Sequence, residues 1–171
     1  MDFGIIVSTI RVITFEEENI PGMKLEQELN QQKFASEFEK AGVNILFTGS
    51  WLHHMNTARL KKFGLTPEQY NVLRILRGSH PKPLMLSAIT CRMIDRSSNV
   101  TRLVEKLRLK GFVNRELCGV NRRQVDVGIS DKGLAVLKKV DKGAVEWLTV
   151  FKNLSRADAR ELNRLLDKLR G

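Results

Sequence analysis

A mainly α fold, strictly α+β with one short β-hairpin, is predicted by three observations. From Val100 the apolar residues fall at Leu103, Val104 and Leu107, the spacing of one buried helix face. After Gly111 the period drops from about 3.6 to 2: Phe112, Val113 and Leu117 open one run, and Val125, Val127 and Ile129 alternate with Gln124, Asp126 and Gly128 in another. Helical apolar spacing then recurs on both flanks. The 43 residues Ser87–Ile129, SAITCRMIDRSSNVTRLVEKLRLKGFVNRELCGVNRRQVDVGI, thus read as a short helix, a turn, a longer basic helix and a hairpin. That is the shape of a winged helix-turn-helix.

Taken in order, IIVSTIRVITF is β-prone and EEENIPG is a breaker, so residues 1–22 are expected to form an extended arm. Such an arm would pair with a partner's edge, pack on a dimer, or be a leader ahead of Met23. From Lys24 to about Lys62 there is no proline, and Leu25, Leu29, Phe34, Phe38, Ala41, Ile45, Leu46, Leu52, Met55 and Leu60 keep helical spacing. Gly42 and Gly49 weaken it, giving either one long helix with a bend or two shorter ones. Thr66-Pro67-Glu68-Gln69 is a helix start with cap, N1 proline and capping-box partner. The helix it opens should bury Tyr70, Leu73, Ile75 and Leu76 and end near Gly78. Leu84-Met85 supplies a short strand beside the wing, and Ser87 caps the next helix. The recognition helix carries Ser98, Asn99, Thr101, Arg102, Glu105 and Lys106 on its polar face and stops at Gly111, after the cationic turn Lys106, Arg108 and Lys110. Cys118-Gly119-Val120-Asn121 is the hairpin loop, projecting Arg122 and Arg123. Ser130 caps a long helix running through Phe151, and Ser155 caps a last one carrying Ala159, Leu162, Leu165, Leu166 and Leu169.

Composition bounds the function. A chain of 171 residues can form one domain with a real core. Lys plus Arg number 29 against 19 for Asp plus Glu, a net charge of +10, and the pI is near 10.0. Ten of the basic residues against five acids lie between Ser87 and Lys132. About half of the net charge therefore sits on the proposed reading head, which favours a polyanionic partner. Cys91 and Cys118 have no CxxC spacing, which argues against zinc or a disulfide framework and suits a cytoplasmic location. Cys91 is expected in a buried helix position and Cys118 on the exposed wing. No membrane segment, secretory signal, nucleophile motif or phosphate loop is read, so neither an enzyme nor a cofactor is expected.

The residues NVTRLVEKLRLKGFVNR followed by NRRQVDVGISDKG resemble the MarR family of winged-helix transcriptional regulators, in which a TRLV-type helix, a KG-hydrophobic stop, a basic wing and an SxKG helix start occur in this order. The likeness runs from about Leu65 to Leu137. It implies a single domain over 23–171, with 65–130 as the DNA-binding winged helix and the helices of 24–63 and 131–170 as a dimerisation layer. One departure stands out: the acid that braces the wing arginine in the family is Asn121 here, so the brace before Arg123 is uncharged.

Ser97, Ser98, Asn99 and Arg102 are the candidates for the major groove, Arg96, Lys106 and Arg115 for phosphates, and Asn121, Arg122 and Arg123 for the minor groove. The bland reading of the same helix face is plain solvation. Trp51, His54 and Met55 lie where relatives place a small-ligand pocket, against the plainer reading of core packing; adjacent His53 and His54 diverge too far on a helix to share a metal. The expected protein is a homodimer that binds a palindromic duplex operator, acting as a repressor released by a small-molecule effector. The rival readings are a non-specific architectural DNA binder and a winged-helix protein-interaction adaptor.

Overall fold

The computed structural model describes residues 23–31, 33–117, 125–143 and 147–171. It is mainly helical with one small antiparallel sheet. The chain divides into two compact units, Met1–Thr48 and Gly49–Gly171.

In the first unit, α1 (Leu25–Glu28) is a single turn, tied by an ion pair of 2.5 Å from Lys40 to Glu26. The backbone then turns through Asn30 at φ 50°, a left-handed value that asparagine tolerates better than most residues. Ser36 opens α2 (Glu37–Lys61): its hydroxyl accepts from the Glu39 N–H at 3.1 Å, while the Glu39 carboxylate accepts from the Ala35 N–H at 2.5 Å. Gly42 and Gly49 both lie inside α2, so the helix break falls before Ser36 and not at either glycine.

The second unit holds the core. α2 ends as Gly64, at φ 67°, lets the Leu65 N–H reach the Leu60 carbonyl. Thr66 then caps α3 (Pro67–Ser79) with the reciprocal bonds expected: its hydroxyl accepts from the Gln69 N–H, and Gln69 Oε1 from the Thr66 N–H, each at 3.3 Å. α3 buries Val72, Leu73 and Leu76, with Tyr70 and Ile75 only partly covered. β1 (Leu84–Met85) runs directly into α4 (Leu86–Arg92). The N-cap of α4 is Met85, without a side-chain bond; Ser87 lies inside the helix and does not cap it, because the strand leaves no free residue between the two elements.

α5 (Val100–Leu109) follows, then β2 (Val113–Leu117) and β3 (Val125–Ile129). The sheet order is β1-β3-β2, all antiparallel, with Leu84 opposite Val127 and Val113 opposite Ile129. Ser130 caps α6 (Asp131–Lys142), its oxygen accepting from the Gly133 N–H at 3.0 Å. The helix expected to continue to Phe151 stops at Lys142 with Gly143 as its C-cap, and a 3-10 turn occupies Thr149–Phe151. α7 (Arg156–Arg170) is capped by Ser155 with Asp158 as its box partner.

One apolar cluster joins these elements: Leu60, Val72, Leu73, Leu76, Ile89, Val104, Leu107, Val127, Leu137 and Val140 are sealed from solvent. Each large side chain contributes about 1.5–3 kcal/mol by burial. α4 contributes Ile89 to this cluster, and Cys91, two positions on, is exposed, contrary to the buried position expected. Cys118 lies outside the described residues, as does the expected N-terminal arm. Among the described residues, no helix is long and apolar enough to cross a membrane.

Candidate nucleic-acid interface

α5 is presented by its packing. Val100, Val104 and Leu107 are buried in the core, which leaves Thr101, Arg102, Lys106 and Arg108 in solvent. Asn99 is the N-cap, its side-chain oxygen accepting from the Arg102 N–H at 3.0 Å. Ser98, Asn99, Arg102, Leu103 and Lys106 together line a groove of about 260 Å³. Three of the four major-groove candidates and one phosphate candidate thus share one surface. Ser97 is exposed in the turn before the helix. Among the described residues, no ion pair engages Arg96, Arg102 or Lys106.

Arg115, the third phosphate candidate, is placed differently. From β2 its guanidinium lies 3.8 Å from Glu105, whose carboxylate is already gripped by Arg108 through Nε at 3.0 Å and Nη2 at 2.8 Å. The Arg108 bond, with the charges of Arg108 and Arg115, holds the Glu105 carboxyl below its usual range. Both arginines are thereby oriented along the same edge of the reading head while remaining partly exposed to solvent.

Lys110 proves to be a tie and not a free cation. Its ammonium donates to the Gly64 carbonyl at 2.6 Å and to Gln69 Oε1 at 3.0 Å, bridging the end of α5 to the start of α3. Desolvation, and then the charge of Lys106, push its pKa down. Gln69 is itself a buried polar residue. Replacing Lys110 with alanine is expected to lower stability by about 1 kcal/mol, read as a reduced urea midpoint, by removing the donor to the Gly64 carbonyl and one of the two bonds to Gln69 Oε1, which keeps the Thr66 N–H.

Sequence reasoning missed three further clusters. Asp95 accepts from both Ser97 and Ser98, with hydroxyl bonds of 2.6 and 3.0 Å. Behind the head, the Arg59 guanidinium lies 5.5 Å from the Tyr70 ring and 5.2 Å from the Trp147 ring, with a bond of 3.0 Å to Asn56. Asp141 of α6 bonds Arg77 at 2.5 Å and Arg74 at 3.4 Å, both on α3. No local spacing signals these long-range pairs.

Asn121, Arg122 and Arg123 lie outside the described residues; β2 and β3 lead toward them. Trp51 is half-buried on α2, and His54 and Met55 are exposed. None of the three lines the groove on α5. The rings of His53 and His54 are 6.2 Å apart and nearly perpendicular. Among the described residues, no cluster of three or more His, Cys, Asp or Glu could hold a metal ion.

Comparison with known proteins agrees with this geometry. The model of the MarR family matches residues 65–125. An uncharacterised helix-turn-helix-type transcriptional regulator of Bacillus subtilis, YkoM, is 32% identical over 109 residues, which cover 63% of this chain and 70% of that one. A MarR transcription factor from Planctomyces limnophilus, of known crystal structure, is 29% identical with a TM-score of 0.62, over 79% of this chain and 98% of that one. A mutant MarR of Escherichia coli, solved with operator DNA, shares the fold at a TM-score of 0.69 and 21% identity, over 81% of this chain and 99% of that one.

Proposed function

The chain belongs to the MarR family of DNA-binding helix-turn-helix transcriptional regulators, which are not enzymes, and from that premise we propose that it is a homodimeric repressor reading a palindromic duplex operator. The observation that carries this reading is the groove on α5, where Ser98, Asn99, Arg102 and Lys106 lie together without an acid among the lining residues. A helix fits the major groove, and short polar side chains with an arginine reach base edges there. Ser97, Ser98, Asn99 and Arg102 take the base edges. Arg96, Lys106 and Arg115 take phosphates, and Arg122 and Arg123, supported by Asn121, take the minor groove.

On this reading 23–171 act as one functional domain, with 65–130 for reading and 24–63 with 131–170 for dimerisation. Support for the second part is apolar exposure: Phe38 is 91% and Leu46 75% exposed on α2, and Leu169 is 67% exposed on α7. Large apolar side chains in such number mark an interface. Release follows from differential affinity. A small molecule that prefers a head spacing mismatched to the two half-sites shifts the population off the operator. Trp51, His54 and Met55 are the site assigned to it.

Selection of bound sequences from a random duplex pool tests the reading. An inverted repeat with two half-sites supports it. Enrichment of no sequence would instead favour an architectural binder, and absence of salt-dependent duplex binding a protein adaptor. Arg102→Ala is expected to relax preference at one or two positions of each half-site, costing about 1–3 kcal/mol against the preferred base. A uniform loss on every sequence would reassign Arg102 to phosphate.

A further inference from the structure

The turn between α4 and α5 carries an acid, Asp95, beside the groove on α5 that Ser98 helps to line. Asp95 Oδ1 accepts from the Ser97 N–H at 2.9 Å and from the Ser97 hydroxyl at 2.6 Å, and Oδ2 accepts from the Ser98 hydroxyl at 3.0 Å. These bonds, the Ser97 hydroxyl first, hold the Asp95 carboxyl below the usual carboxylate range, so it is ionised at neutral pH. An ionised carboxylate has no proton to give, and the direction of each bond is therefore fixed: both serines donate.

A serine hydroxyl has one hydrogen and two lone pairs, and ordinarily it rotates to donate or accept, which makes it a poor discriminator of bases. Here both hydrogens are spent. What remains on Ser97 and Ser98 is acceptor capacity alone. Ser98 lines the groove on α5, and Ser97 is exposed beside it.

We propose that Asp95 is a positioning residue that sets the hydrogen-bond polarity of the reading surface, making Ser97 and Ser98 obligate acceptors that select base pairs presenting a major-groove amino group, cytosine N4 or adenine N6. The proposal rests on the duplex-recognition reading above. The neighbouring residues supply donors. Asn99 uses its side-chain oxygen on the Arg102 N–H, which leaves its Nδ2 as the donor, and the Arg102 guanidinium can only donate. The start of α5 thus offers acceptors from the serines and donors from Asn99 and Arg102. Asp95 also repels phosphate. Its removal therefore relaxes sequence preference without weakening non-specific binding.

The test compares the unaltered chain with Asp95→Ala and Ser98→Ala in selections from a random duplex pool, with urea melts of each variant to verify folding. The unaltered chain is expected to enrich cytosine or adenine at one or more positions per half-site. Asp95→Ala should lower that preference about tenfold, with affinity for unselected duplex unchanged or higher, and Ser98→Ala should lose preference at one of the same positions. In a fixed operator with adenine there, exchange for purine removes only the amino group. For an enriched cytosine, exchange for 2-pyrimidinone does the same. Either exchange should weaken the unaltered chain about tenfold and the Asp95→Ala variant little. The assignment is overturned if Asp95→Ala retains every base preference, or if amino deletion weakens both proteins equally. Enrichment of no sequence by the unaltered chain would overturn the duplex-recognition reading and this inference together, whereas enrichment without the Asp95 effect overturns this inference alone.

Discussion

Gly133→Ala is expected to destabilise the winged helix by about 3 kcal/mol, at the upper end of overpacking costs, and to reduce duplex binding with it. A Cβ at this position would stand 2.2 Å from the Phe112 carbonyl oxygen, 3.1 Å from its carbon and 2.8 Å from Ile129 Cγ1. Two of the three neighbours are backbone, which cannot rotate aside. The same carbonyl accepts from the Ser130 N–H at 3.1 Å, and the Ser130 hydroxyl donates to the Gly111 carbonyl at 2.7 Å while capping Gly133. The end of α5, the start of the hairpin and the first turn of α6 therefore meet at one knot. Moving α6 outward to fit a methyl group breaks several of these bonds together. Gly128→Ala is the control, since its Cβ would meet only Pro83 Cβ at 4.0 Å; its stability should change by less than about 0.5 kcal/mol. Urea denaturation of both variants decides the matter, and equal midpoints would show that the close approach does not constrain the fold.

What was legible in the sequence was local. Thr66 with Gln69 and Ser130 before Gly133 are caps whose partners lie within three residues, and both form as read. The buried stripe Val100, Val104 and Leu107 follows from helical period alone, as does the hairpin from the change of period at Gly111. Local signals were also overlooked: Ser36 with Glu39 is a cap signature that marks the true start of α2. Others competed. Ser87 looks like a cap, but the strand β1 abuts α4 and takes that position with Met85.

The candidate site was readable in residue type more than in state. Arg102 and Lys106 follow from the helix face, yet nothing in the spacing says that Lys110 reaches Gly64 and Gln69, 46 and 41 positions away. That bond needs α3 packed on α5. The same holds for Arg115, which meets Glu105 only because β2 folds back along α5. Asp95 was visible as a charge among cations, but its grip on two serine hydroxyls depends on the turn geometry.

If the chain is the homodimer proposed above, a glutamate at Leu165 is expected to convert it to a monomer and to lower affinity for a two-half-site operator by about 10²–10⁴-fold, the gain that linking two weak sites provides. α7 gives the reason. Its 15 residues are locally well supported, by the Ser155–Asp158 box, the Arg164–Glu161 ion pair at 2.7 Å and the Arg170–Asp167 pair, yet no residue of the helix is buried. Leu162 is 44%, Leu165 48% and Leu169 67% exposed, at spacings that place them on one stripe. An isolated helix of this length is marginal in water, so the stripe needs a cover to hold it folded. In the proposed homodimer a second copy would supply that cover and set the distance between two reading heads. The charge should leave the core around Leu73 and Leu107 untouched, because neither touches this stripe's exposed side. Sedimentation gives the mass, and mobility shifts on full and half operators give the two affinities; half-site affinity should not change. Asn163→Glu, on the flank of α7 roughly 130° from the centre of that stripe, should leave both mass and affinity as they were. A Leu165→Glu chain that remains dimeric would remove α7 from the interface, and a monomer that kept full operator affinity would remove the need for two heads.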